Sequence, residues 1–165
     1  METERLRLER VKPDDWEAMS AWTTDERVYK YLPSPVCKTP EEPKTWLPKK
    51  DPNDKDHILM LVTCKDDGHA VGLYALNHDL GRDVWTLSYV NRYDDWGKGY
   101  TVEGMTALMN YARNELGATK FEGECAAKNG ASALVMEKLG MKCTRYSKFW
   151  KEDADKWFFS YVYTI

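Results

Sequence analysis

The chain of 165 residues has no apolar run near the ~18 residues that a membrane-crossing helix needs. Its first ten residues, METERLRLER, lack the apolar core of a secretory leader, and no N-x-S/T sequon occurs. Cysteine is scarce and unpatterned. Cys37, Cys64, Cys125 and Cys143 form no C-x-x-C pair, and His57, His69 and His78 show no ligand spacing, so nothing marks a structural zinc site. An excess of basic charge is also missing. With 24 Lys+Arg against 27 Asp+Glu the net charge is -3, which leaves no footprint for broad nucleic-acid binding. The expectation is a reduced, cytoplasmic protein with no metal, no nucleic-acid partner and no membrane partner.

Aromatics are plentiful at 13%, and hydrophobic residues reach 42%. Such a chain is not disordered, and its length suits one domain, 1–165, burying roughly 70% of its unfolded surface.

Hydrophobic period locates the elements. Residues 5–11 alternate as a half-buried strand, and Pro13-Asp14-Asp15 opens a helix with Trp16, Met19 and Trp22 on one face. Six of the seven prolines fall in 31–56, a stretch read as loop with a short helix around Glu41 to Leu47. A loop of that length is either functional or a plain connector. Strands follow at 57–65, 69–78 and 84–91, separated by Asp66-Asp67-Gly68 and by the turn around Gly81. The period then becomes helical over 101–117, with Val102, Met105, Met109, Ala112 and Leu116 inward and Gly117 as the stop. A strand at 119–127 precedes a helix from Asn129 to Leu139, read with Ala131, Leu134, Val135 and Leu139 inward. Two aromatic strands, 141–151 and 156–164, end the chain. In the last, Trp157, Phe159, Tyr161 and Tyr163 share one face, which suits a core strand and a homodimer contact equally.

The informative segment is Asp94-Asp95-Trp96-Gly97-Lys98-Gly99-Tyr100-Thr101, between a strand and a strong helix. Glycines one residue apart permit a tight turn, and the helix behind them offers unpaired N–H groups. The pair could cradle a diphosphate, with Lys98 adding a charge, or could be only a turn. The phosphate-loop pattern G-x-x-x-x-G-K-S/T is absent, and Val102 stands where a dinucleotide fingerprint would place its third glycine.

The segment SYVNRYDDWGKGYTVEGMTALMNYA resembles the acetyl-CoA motif of the GNAT N-acetyltransferases, with its Q/R-x-x-G-x-G/A loop. Asn129-Gly130-Ala131-Ser132, followed by Glu137-Lys138-Leu139-Gly140-Met141, resembles the branch containing the RimJ/RimL ribosomal-protein acetyltransferases, as do ETERLRLERVKPDDW and YKYLPSPV. The chain departs from the pattern at Asp94 in the Q/R position, at Gly104 where Ala is common, and at Met136 where many members carry an acidic Tyr.

The resemblance implies an α/β fold: a central, mostly antiparallel sheet with a splayed parallel strand pair, 84–91 and 120–127, flanked by helices. It implies acetyl-CoA as cosubstrate and an acceptor bearing a primary amine, either a small molecule or a protein N-terminus. The pantetheine would pair with backbone groups of Tyr89, Val90 and Asn91. The diphosphate would lie on the N–H groups of Trp96, Gly97, Lys98, Gly99, Tyr100 and Thr101. Asn129 and Ser132 would face the thioester end.

With Met136 unable to donate, Ser132 is the candidate acid, directly or through water; it is equally a first-turn helix residue. Glu122 is the candidate base, ahead of Glu124; both could be ordinary acids on a solvated strand face. Cys125 reads as strand packing rather than a nucleophile. Trp46 and Trp85 are possible pocket residues. A non-catalytic acyl-CoA-binding or interaction module is the alternative, and a longer acyl donor is a further one.

Overall fold

Strand β1 (Leu6–Arg10) buries Leu6 and Leu8 and exposes Arg7 and Glu9, as strict alternation requires. The computed structural model describes residues 1–47, 51 and 53–165. Within the proline-rich stretch, residues 48–50 and 52 lie outside the described residues.

After β1 come helix α1 (Trp16–Thr23) and the single turn α2 (Glu26–Tyr29), capped by the Asp25 carboxylate. Strands β2 (His57–Cys64), β3 (Ala70–Asp79) and β4 (Val84–Asn91) form an antiparallel meander. Helix α3 (Tyr100–Leu116), strand β5 (Phe121–Ala126) and helix α4 (Gly130–Lys138) follow. The hairpin of β6 (Lys142–Lys151) and β7 (Lys156–Thr164) closes the chain. All seven strands join one sheet in the order β1-β2-β3-β4-β5-β7-β6.

The two sheet faces carry two cores. One holds Leu6, Ile58, Met60, Tyr74, Leu87 and Phe121 beneath Met105, Leu108 and Met109 of α3. The other sets Leu61 and Leu73 against Met19 and Trp22 of α1, Val28 of α2, and Leu47. A bulge in β3 at Val71 turns that side chain to the α3 face.

Only β4 and β5 run parallel, and they pair over just three positions: Trp85 with Phe121, Thr86 with Glu122, Leu87 with Gly123. Beyond them β4 stays on β3 as far as Asn91 opposite Gly72, while β5 stays on β7 as far as Ala126 opposite Ser160. Gly72 is required there, because a Cβ would collide with the Val90 carbonyl. The sheet therefore divides between β4 and β5 toward their C-terminal ends.

Several expectations need correction. The short helix near 41–47 is a 3-10 turn, Glu42–Thr45. In α4 the buried residue is Met136, while Ala131 and Leu134 face solvent. Gly123 opposite leaves the space Met136 fills, since a Cβ there would meet its Sδ and Cε. Trp85 is buried and stacked on His78 at 4.5 Å, and it lines neither of the two cavities described below. Trp46 leans on the α1-side core. The aromatic face of β7 is covered at Tyr163 and in part at Tyr161, while Trp157 and Phe159 are exposed.

The glycine at 104 has its reason in Tyr74, a fully buried ring that occupies the space of a Cβ at that position. Gly104→Ala should lower stability in urea melts by about 1 kcal/mol or more, since overpacking outweighs the ~1 kcal/mol of helix propensity gained. A double-mutant cycle with Tyr74→Leu should show coupling between the two sites. Additive effects would mean that the ring is not the obstacle.

Candidate functional site

The divided strands open a cleft of about 380 Å3 running from the start of α3 to the start of α4. Of the residues expected there, Tyr89, Val90, Asn91, Trp96, Gly97, Gly99, Tyr100, Thr101, Asn129 and Ser132 all line it.

Lys98 is the exception. Its ammonium turns to Asp95, 2.8 Å away, and that bond holds its pKa above the ordinary lysine value. Asp95 is only 2% exposed and also bonds His69 Nε2 at 3.0 Å. The free charge anticipated at the loop is thus largely neutralised by a buried carboxylate. The loop's anion-binding capacity rests on its backbone.

That backbone is arranged for the purpose. Gly97 and Gly99 have φ of 78° and 80°, the left-handed region that other residues enter at a cost. Gly99 caps α3, whose first intrahelical bond runs from Glu103 N–H to the Gly99 carbonyl. The N–H groups from Gly97 to Val102 have no protein partner among the described residues. Trp96 differs from expectation: its N–H donates to the Tyr93 carbonyl at 3.1 Å, so the free series starts one residue later. Its indole Nε1 donates to the Asn91 carbonyl at 3.1 Å, tying the end of β4 to the loop. Consecutive free donors at the positive end of a helix of 17 residues make a site for a phosphate or diphosphate.

The loop is held from outside by the segment before β1. Arg5 donates from Nη1 to the Lys98 carbonyl at 2.9 Å and lies over the Tyr100 ring. Glu103 receives the Arg5 N–H at 2.8 Å, its Nε at 2.7 Å and the Thr3 hydroxyl at 2.5 Å. Partial burial acts to raise the Glu103 carboxyl, but the bonds from Thr3 and Arg5 outweigh it and leave it below the ordinary carboxylate value.

At the other end of the cleft, Asn129 caps α4 by accepting the Ser132 N–H at 3.2 Å. The Ser132 hydroxyl faces the Tyr89 hydroxyl at 2.6 Å. Tyr89 was anticipated only as a backbone partner. Its phenol comes inward because it shares the Trp85 and Leu87 face of β4, an alternation visible in the sequence. Burial pushes the Tyr89 phenol well above its ordinary pKa, so it holds its proton at neutral pH.

Glu122 is not brought into this cleft. It sits at the closed end of the split, bonded to Arg82 at 3.2 Å and Arg145 at 3.1 Å. Glu124 accepts the Ser160 hydroxyl. Among the described residues, the one carboxylate lining the cleft is Asp95, at the loop end. Cys125 is buried, and burial pushes its thiol up to about 11, so it is protonated and unreactive.

Cys64, Asp67 and His69 gather within 4.8 Å of one another. Their polar atoms are already engaged: His69 bonds Asp67 and Asp95, and Cys64 meets the Tyr100 hydroxyl at 3.7 Å.

Residues 5–142 match the family profile of the acetyltransferase (GNAT) domain. The chain is 25% identical over 163 residues to the uncharacterized N-acetyltransferase YnaD of Bacillus subtilis (strain 168), covering 99% of this chain and 94% of that protein. An acetyltransferase (GNAT family) from Bacillus anthracis superposes with a TM-score of 0.87 at 27% identity, over 100% and 96% of the two chains. The spermidine N-acetyltransferase from Vibrio cholerae, in complex with CoA and spermine, superposes with a TM-score of 0.82 over 99% and 96% of the chains; at 15% identity the likeness is one of fold.

The Glu103 clamp carries a pH signature. Because its folded-state pKa is depressed, its contribution is complete above the unfolded value of about 4.3 and is lost as pH falls through the folded value. Glu103→Gln should therefore cost about 1 kcal/mol at pH 7, with the gap to the parent closing below pH ~4. Chemical denaturation across that range checks it. A gap independent of pH would deny the carboxylate this role.

Proposed function

The chain belongs to the GNAT acetyltransferase family, and on that premise we propose that it transfers the acetyl group of acetyl-CoA to a primary amine by direct attack. The observation that carries this reading is the split between β4 and β5 opening onto unpartnered N–H groups at the start of α3. Residues 1–165 act as one domain of the RimJ/RimL-like branch, on the strength of Asn129–Ser132 and Glu137–Met141. Four unpaired cysteines suit the cytoplasm.

The site fits acetyl-CoA by its own chemistry. The N–H groups of Gly97 to Val102 would hold the diphosphate, and backbone groups of Tyr89, Val90 and Asn91 the pantetheine. The Asn91 Oδ1, buried and without a protein partner among the described residues, is an acceptor left over at the cleft wall. Acetyl-CoA supplies the activated thioester. In the transfer a C–N bond forms as the C–S bond breaks, and the departing sulfur needs a proton.

Ser132 is the donor this chain offers there. The Tyr89 phenol, 2.6 Å behind it, re-supplies the proton and is itself recharged by the proton the amine releases. A strand-end N–H near Val90 is the candidate oxyanion donor. No side-chain carboxylate stands at this end of the cleft among the described residues. The acceptor amine therefore has to arrive neutral, or lose its proton through water. An α-amino group, with a pKa of about 8, meets that demand far more readily than a lysine-like amine near 10.4.

A second reading, acyl-CoA binding without transfer, is favoured by Met136 and by the missing carboxylate. Calorimetry with acetyl-CoA, using Gly99→Trp as the blocked control, tests the cosubstrate assignment: binding should disappear in the control. Binding without thiol release for any amine would leave the second reading ahead.

For the acid, Ser132→Ala and Tyr89→Phe should each lower kcat by about 10–100-fold while the acetyl-CoA Kd changes less than about twofold. Unchanged turnover in both variants removes the pair from the chemistry.

A further inference from the structure

On the α1–α2 side of the sheet lies a second cavity, a groove of about 1060 Å3 between α2, the end of β5 and the tip of the β6–β7 hairpin. It joins the cleft at Arg27, Tyr31 and Lys128, which line both. Lys128 directly precedes Asn129 and the start of α4, so the groove opens at the thioester end of the cleft, away from the glycine loop. Its size slightly exceeds the ~300–1,000 Å3 of most small-molecule sites.

The groove has a charge opposite to that of the whole chain. Five cations line it: Arg27, Lys30, Lys128, Lys151 and Lys156. Its carboxylates are Glu26 and Asp153. Two of the cations are spoken for, since Arg27 pairs with Asp25 at 2.6 Å and Lys151 with Asp153 at 2.7 Å. Lys30, Lys128 and Lys156 make no ion pair among the described residues. A chain of net charge -3 thus gathers in this groove three lysines without an ion pair, against one such acid, Glu26, among the described residues. The apolar part of the wall is aromatic, with Tyr29 and Tyr31 on one side and Phe158, on the Lys156 face of β7, on the other.

Resting on the acetyltransferase reading, we propose that this groove binds the acceptor, and that the acceptor is an acidic peptide segment whose terminal amine enters the cleft. The lysines meet its carboxylates, and Tyr29, Tyr31 and Phe158 carry its backbone and methylene groups. Their positive potential also disfavours the ammonium form of the incoming amine, which eases attack where no base is at hand. A polyamine would bring several positive charges against three unpaired lysines. It is the acceptor class the groove selects against.

The test is binding to the CoA-loaded protein, followed by fluorescence anisotropy. The probes are C-terminally labelled hexapeptides that begin with Ser and continue with Glu, with Gln or with Lys. The Glu peptide should bind at least about tenfold tighter than the Gln peptide and weaken with salt. The double variant Lys30→Glu/Lys156→Glu, both outside the cleft, should weaken it by a further tenfold or so while acetyl-CoA affinity stays unchanged. Circular dichroism confirms folding, and Lys30→Gln/Lys156→Gln should fall between.

The proposal is overturned if the Glu peptide does not bind, if the Gln or Lys peptide or spermidine binds as well, or if charge reversal has no effect. It is overturned too if free glutamate competes as strongly as the peptide, since the occupant is then not a peptide. Thiol release separates this from the parent reading. Tight, charge-dependent binding without thiol release sinks the acetyltransferase reading and leaves the groove assignment standing. Transfer to spermidine with no peptide binding does the reverse.

Discussion

The pairing of β4 with β5 ends after three residues, and the site is a consequence of that ending. Each strand keeps its other neighbour: β4 is held by β3 through the tight approach at Gly72, and β5 by β7. Strand edges that would normally satisfy each other are left facing a cleft. Buried backbone groups must find partners, so an unpaired stretch at the centre of a sheet is tolerated only where a ligand or water supplies them. The glycine loop repeats the same condition at the start of α3, where six successive N–H groups point away from any protein acceptor among the described residues. The two sets of unsatisfied groups adjoin, and together they describe a long, polar ligand with an anionic end.

Much of this was legible in the amino-acid order because the signals were local. Alternation, the helical period and glycine stops placed every strand and helices α1, α3 and α4 but not the single turn α2, and a strand–glycine loop–helix segment marked the candidate anion site. Long-range contacts were not legible. Nothing in the run of residues shows that Asp95 is buried against His69, 26 residues away, or that Glu122 spends its charge on Arg82 and Arg145. A carboxylate's neighbours in space decide whether it is a base or one half of an ion pair, and those neighbours are 40 and 23 residues away. Gly104 is the converse case. It departs from the family pattern, and the departure has a cause only once Tyr74 is seen filling the space.

The distribution of charge divides the protein into two ends. The loop end offers unpartnered backbone N–H groups, with Lys98 paired to a carboxylate. The groove end carries lysines without an ion pair among the described residues, beside Tyr29, Tyr31 and Phe158. Between them lies a stretch poor in carboxylates, where Ser132 and Tyr89 are the groups able to donate. On the proposed reaction, such a layout would move the burden of deprotonation from the protein to the acceptor.

The Arg5 clamp has a bearing on how the chain assembles. Arg5 and Glu103 are separated by 98 residues, so the loop between them closes late and at high entropic cost. A growing or partly unfolded chain has the glycines but not the strut that holds Lys98 in place. On the proposed function, cosubstrate affinity would be a property of the completed contact order, and ligand binding would feed free energy back into the attachment of the first strand.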